Sequence, residues 1–272
     1  MQSDAKKTFY YHADANSLGG FIEKPFPRIV PSQASASLPP VGGQVTSRTE
    51  AFNFEEIVSC RSAYTRVAGS QIAQGGPWAM TITSVVEDLN ILEVITADRL
   101  VAQVSFVYET DGSYLVSLAG SRYEGLRLGG CDASPTLNPS LLCGPNPQLT
   151  LAVLRQTGRE QAGKMIRSVE ADQKRGDLQW VIDRFGWMAA DRDPEEDACV
   201  LCSLVDGVDP GIPGTAFGHA VELPDFGRIF LGELLVCRSS IQVTLIRAEL
   251  GCAQSGTISA ACAAGIGSTV PP

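Results

Sequence analysis

The sequence predicts a mainly β chain, a β-sandwich of antiparallel sheets with one packed amphipathic helix and an extended N-terminal arm. Three observations carry that expectation. Alternating, β-branched, charge-poor runs fill residues 44–130; the hairpin signal Asp111-Gly112 sits between two of them; and a clear helical repeat occurs near 159–174.

Residues 1–43 form the arm. Pro25, Pro27, Pro31, Pro39 and Pro40 exclude a helix and break a central strand. Phe9, Tyr10, Tyr11, Phe21 and Phe26 make the segment too apolar for a solvated linker. The arm is expected to pack on its own sheet or on a neighbouring subunit, with those five aromatics as assembly contacts.

From Gln44 onward strands are predicted near 44–58, 60–69, 77–88, 91–108, 113–120 and 123–128. Leu100, Ala102, Val104, Phe106 and Tyr108 share one face of the fourth, and Asp-Gly returns the chain through Ser113–Leu118. The Pro/Gly-rich stretch 129–148 reads as loop, and Leu149–Arg155 as another strand. Ala162, Met165, Ile166 and Val169 then recur at helical spacing, beside the favourable pairs Glu160/Lys164 and Glu170/Lys174. They predict a helix over about 159–174 that Gly176 stops, an insertion in the β-rich core.

Leu178–Met188 fits strand and helix equally. Past the acidic loop 191–197, strands follow at Ala198–Val205, Ala220–Leu223, Arg228–Val236 and Ile241–Leu250. Arg228–Val236 is apolar on both faces, with Ile229, Leu231 and Leu235 against Phe230, Leu234 and Val236. It therefore needs a second sheet on one side and the helix on the other. Residues 44–250 read as one core, and the small-residue segment 251–272 as a loosely held tail.

Composition narrows the function. A chain of 272 residues, 44% apolar and 19% charged, can bury a sizeable core. A net charge of −9 without a basic stripe opposes binding to nucleic acid. No window approaches the ~20 apolar residues of a transmembrane segment. Met1–Lys7 lacks the apolar core of a secretory leader, which reads as a cytoplasmic chain by default, one exported without a leader, or one shown after its leader is removed. The eight cysteines are expected as free thiols, with Cys252–Cys262 the first pair to form on oxidation.

Only His12 and His219 can serve as an imidazole base. His219 follows a Gly/Pro loop and has Glu222 and Asp225 near in sequence to orient it, so these three are the catalytic candidates. The strings of a nucleophile elbow, a Walker loop and a dinucleotide loop are missing, which argues against those enzymes. Metal candidates are Cys199, Cys202 and His219 for a soft ion, and Asp191 and Asp193 for a hard one. Residues three apart on a strand point to opposite faces, so buried thiols and a solvated acidic loop are the default and no cofactor is expected. Trp78, Trp180 and Trp187 are the aromatic candidates for a carbohydrate surface.

The strings Glu87-Asp88-Leu89-Asn90-Ile91-Leu92, Val94-Ile95-Thr96-Ala97-Asp98, Gly120-Ser121-Arg122-Tyr123-Glu124-Gly125-Leu126-Arg127-Leu128-Gly129-Gly130 and Leu223-Pro224-Asp225-Phe226-Gly227-Arg228-Ile229-Phe230-Leu231-Gly232-Glu233 resemble the bacterial choice-of-anchor surface proteins. They also resemble a group of bacterial proteins of unassigned function. The resemblance implies a β-rich, non-enzymatic protein at an extracellular or surface location, and brings no catalytic residues with it. The resulting expectation is a structural or binding module, a self-assembling homo-oligomer of filament, shell or surface type joined through its arm. The alternatives are a carbohydrate-binding or carbohydrate-hydrolysing sandwich, and a metal-dependent enzyme centred on His219.

Overall fold

The alternation that dominates the first half of the sequence folds into strands, and the described residues are mainly β. The structure, a computed structural model, describes residues 8–142, 151–171, 178–189, 199–209, 211–237 and 240–270. In chain order come β1 (Thr8–Lys24), β2 (Arg28–Gln33), β3 (Ala36–Ser37), β4 (Gly43–Thr49), β5 (Phe52–Phe54), β6 (Val58–Cys60), β7 (Ser62–Gln71), β8 (Trp78–Ile91) and β9 (Ile95–Tyr108). The short strands β10 (Tyr114–Ser117), β11 (Arg122–Glu124), β12 (Arg127–Leu128), β13 (Cys131–Asp132) and β14 (Pro135–Leu137) follow. Next are the helices α1 (Pro139–Leu142), α2 (Leu151–Ala171) and α3 (Gln179–Ala189). The chain closes with β15 (Val200–Ser203), β16 (Val205–Val208), β17 (Thr215–Phe217), β18 (Ala220–Leu223), β19 (Gly227–Cys237), β20 (Ser240–Gly251) and β21 (Ser255–Val270).

Among the described residues these strands form two large antiparallel sheets. The first has the order β17-β18-β19-β20-β21-β1-β2, with β15 beside β19 and β3 beside β1. The second is built on β8 and β9, flanked by β6, β7 and the short strands β10, β11 and β12. β1, β20 and β21 lie across from β7, β8 and β9, and the inward side chains of both sheets make one core that includes Phe9, Leu18, Met80, Ile82, Leu100, Phe106, Leu231 and Val243. The Asp111-Gly112 hairpin forms as expected: Tyr114 pairs with Tyr108, and Ser113 donates from its amide and hydroxyl to the Asp111 carboxylate.

α2 and α3 cover the other face of the first sheet. Ala162, Met165 and Val169 of α2 meet Val181, Phe185 and Met188 of α3 over Phe217, Ala220 and Phe230. The expected helix is therefore present but begins earlier, so the strand predicted over Leu149–Arg155 is replaced from Leu151 by the first turns of α2. Leu154, Gly158, Gln161, Met165 and Val169 are buried at helical spacing, a pattern that extends the 159–174 repeat backward. The undecided segment 178–188 is helical as well. Lys174, Gly176 and the acidic loop 191–197 lie outside the described residues.

The arm packs on its own sheet, one of its two expected places, though as a central strand, and the tail differs from expectation. Residues 8–24 of the arm are an interior strand, β1, paired with β21 on one side and with β2 and β3 on the other. The prolines that argued against a central strand all come after Lys24, and Pro31 falls on the edge strand β2. The tail expected to be loose is β21, held between β20 and β1. Its small residues match a close approach of the facing sheet: a Cβ at Gly265 would come within 2.5 Å of Ile82, and one at Gly267 would strike the Phe9 ring.

The alternation also changes phase along a line that crosses four strands. The pairs Gly232–Leu245, Leu245–Ala261 and Ala261–Ser17 are skipped in the β19–β20, β20–β21 and β1–β21 ladders. Gly232 and Ala261 have positive φ, +62° and +53°. Donors from the second sheet and the neighbouring loop satisfy groups along the line: the Tyr123 hydroxyl donates to Leu245 O, Ser84 Oγ donates to Asn16 O, and the Leu204 backbone N–H donates to Gly232 O. As a result Ile229, Leu231, Leu234 and Val236 all face the inter-sheet core, and Leu235 turns outward, 40% exposed. β19 is thus covered on both faces as predicted, but by a different division of its side chains.

Candidate functional site

The most ordered polar chemistry lies on the helix-covered face of the first sheet. Glu233 on β19 is buried and accepts two hydrogen bonds from Arg247 on β20, from Nε at 2.5 Å and Nη2 at 2.7 Å. Arg184 on α3 donates Nη2 to Glu233 at 3.4 Å and Nη1 to Glu249 at 3.1 Å, and Arg247 Nη1 also reaches Glu249. Both guanidiniums sit over the Phe230 ring, 4.2 Å for Arg184 and 4.1 Å for Arg247.

The electrostatics follow from this geometry. Burial pushes the Glu233 carboxyl up, but the Arg247 hydrogen bonds and charge outweigh it, leaving Glu233 below the ordinary carboxylate range. Burial and the neighbouring Arg247 lower the Arg184 guanidinium, while Glu233 and Glu249 more than offset burial at Arg247. The four groups hold two positive and two negative charges, so the cluster is neutral as a unit. Arg184, Arg247 and Glu233 border an open groove of about 460 Å³ with Trp187, Leu201, Leu235, Gln242, Thr244 and Ser259, while Glu249 lines the neighbouring cleft.

His219 does not join Glu222 or Asp225. It is buried at the β17–β18 turn, edge-on to Phe185 at 5.4 Å, and neither ring nitrogen has a hydrogen-bond partner. Burial lowers its pKa to about 4, with Arg184 and Arg247 adding to the effect and Glu233 and Asp206 opposing it, so the ring is neutral near pH 7. It borders a cavity of about 240 Å³ with Ser168 and Asp206, but the Ser168 hydroxyl donates to Met165 O and Asp206 accepts from Gln161 and Asn138. No hydrogen bond links these three into a nucleophile relay among the described residues. Glu222 and Asp225 instead line a separate cleft of about 850 Å³, where Glu222 accepts from Trp180 Nε1 at 3.4 Å and lies 3.7 Å from Arg228. His12 is exposed on β1.

The cysteines correct another expectation. Cys199 is bonded to Cys237, and this disulfide ties β15 to β19 just beyond the Val200–Val236 pair. Cys252 and Cys262 are free. Cys199 is therefore not a thiolate ligand, and Cys202 is a buried thiol whose pKa burial raises to about 12. No group of three metal-ligating side chains occurs among the described residues, and Asp191 and Asp193 lie outside them.

Of the aromatics assigned to assembly, Phe9 and Tyr11 belong to the core, with Phe9 stacked on Trp78 at 5.0 Å. Tyr10, Phe21 and Phe26 reach the surface. Phe21 pairs across the β1–β2 ladder with Ile29, which is 73% exposed, and Phe26 in the intervening turn is 71% exposed. β2 pairs with β1 alone among the described residues, so this hairpin ends the sheet. Of the tryptophans, Trp78 is buried, Trp180 is half-buried and Trp187 is 52% exposed.

Sequence reasoning missed Arg184, Glu233, Arg247 and Glu249. One signal was present: Glu233 is an ionisable residue in the middle of the apolar run 229–236, and a charge there needs a buried partner. No described helix is long and apolar enough to cross a membrane. No curated protein and no solved structure matches the chain. Residues 9–237 match the family described as Domain of unknown function (DUF8256), and because that span covers most of the 272 residues the chain belongs to this family.

Proposed function

We propose that this chain is a non-enzymatic structural subunit that associates with a second copy of itself through the β1–β2 hairpin. The observation that carries the reading is the exposed apolar edge formed by Phe21, Phe26 and Ile29 at the end of a large sheet. An open edge offers unpaired backbone donors and acceptors to another strand, and the usual guards are charges and prolines on that edge. Here the one charged residue of β2, Arg28, is paired with Glu55, and Pro31 limits the available ladder to the first half of the strand. Two such edges related by a two-fold axis present the same apolar side chains to each other without opposing like charges. The association differs from the arm exchange expected from sequence, because β1 stays in its own sheet.

Native mass by light scattering over a concentration series tests this reading. The wild-type chain is expected to form dimers or larger oligomers, and the double variant Phe26→Asp/Ile29→Asp to remain monomeric with an unchanged circular dichroism spectrum. A monomeric wild type throughout the series, or a variant that still associates, would overturn the proposal.

A further inference from the structure

We infer that the groove beside α3 is a binding site for an uncharged sugar, with Trp187 as its stacking platform. The charges on the groove wall are already committed to ion pairs, because Arg184 and Arg247 are bound by Glu233 beside them and by Glu249, which lines the neighbouring cleft. A free ion of either sign thus meets a partner whose countercharge is already taken, whereas a neutral polyol meets groups held rigidly in place. Unspent hydrogen-bonding capacity is available to such a ligand. The Gln242 amide and Ser259 hydroxyl on the groove wall make no side-chain hydrogen bond among the described residues.

The apolar share of the groove fits the same ligand. Trp187 and Leu235 leave a substantial apolar surface open to solvent next to those polar groups. A pyranose ring presents an apolar C–H face and a rim of hydroxyls, so it buries the first against an indole and spends the second on amides, hydroxyls and guanidinium N–H groups. The volume of about 460 Å³ lies in the range of small-molecule sites. The Arg/Glu cluster acts here as a positioning layer: each guanidinium is held by carboxylates and by the Phe230 face, so its remaining N–H groups point in fixed directions.

Saturation-transfer NMR on the full chain, with maltotriose, cellotriose, xylotriose, mannotriose and chitotriose as probes and trigalacturonate as an anionic control, tests the site. At least one neutral trisaccharide is expected to bind, and Trp187→Ala, a change at an exposed position, to weaken that binding about tenfold or more. Gln242→Ala is expected to weaken it less. Absence of binding across the neutral panel, binding of trigalacturonate alone, or neutral-sugar binding that Trp187→Ala leaves unchanged would each overturn the inference. The same measurement on Phe26→Asp/Ile29→Asp separates this site from self-association, since binding is expected to survive there.

Discussion

His219 shows how a side chain can be conspicuous in sequence and do a different task in the fold. Its imidazole is neutral, buried against Phe185 and within the field of Arg184 and Arg247. The folded pKa of about 4 lies below the ordinary 6.5, so the unfolded chain takes up a proton that the folded chain refuses. The stability this contributes is complete above pH 6.5 and is lost as pH falls from there through 4, a loss of roughly 3 kcal/mol. His219→Leu, which removes both unpaired nitrogens, is expected to flatten urea-derived stability between pH 7 and pH 4.5 relative to wild type. Equal slopes in the two proteins would contradict the assignment. The histidine itself was legible in the sequence, because only two exist. Its partners were not: Arg184 on α3 and Arg247 on β20 are 63 positions apart by number and meet only because both elements cross Phe230. Glu222 and Asp225 were chosen by nearness along the chain, which on a strand says little about nearness in space.

At the scale of elements, alternation and turn chemistry located most of the strands, since a half-buried sheet forces a period of two on the side chains. Two kinds of feature stayed hidden. Phase inversions at Gly232 and Ala261 break no hydrophobic run, so Leu235 was placed inside although it faces out. A similar skip occurs at Asp88–Asp98, where the strand predicted over 77–88 was ended, whereas β8 continues to Ile91. β1 and β21 lacked the usual β-branched signature at their centres because closely packed sheets there demand alanine, glycine and serine. The disulfide was equally unreadable, since eight cysteines admit many pairings and only the β15–β19 register brings Cys199 beside Cys237. It closes a loop that runs from just before β15 through β16, β17 and β18 to the last residue of β19, with a sequence separation of 38. Cys199→Ser/Cys237→Ser is expected to cost about 3–4 kcal/mol in chemical denaturation, and the same loss should follow reduction of the wild type. An unchanged midpoint in both cases would show that the crosslink is not formed in the protein.

For the whole molecule, the sandwich with a helix-covered outer face was foreseeable from one strand, because an apolar β19 needs cover on both sides. The arrangement of the ends was not. β21 lies between β20 and β1, so a chain stopped at Gly251 would split the first sheet into two parts and expose the inner faces of both. Such a truncation is expected to show no cooperative thermal transition by circular dichroism. A transition matching the full-length chain would mean that β21 is dispensable. The proposed self-association also belongs to this scale, since it would add strands to an existing sheet edge and leave the β1–β21 ladder intact.

That ladder has a consequence for how the protein is made. Thr8 pairs with Val270, and Phe9 with Thr269, so β1 finds its main partner only when the opposite end of the described chain has been synthesised. On the ribosome β1 can pair early with β2 and β3, but its other edge stays open until β21, more than 200 residues later, has emerged, so the first sheet closes late. The interval before β21 arrives is the period in which a holdase would protect the open edge of β1.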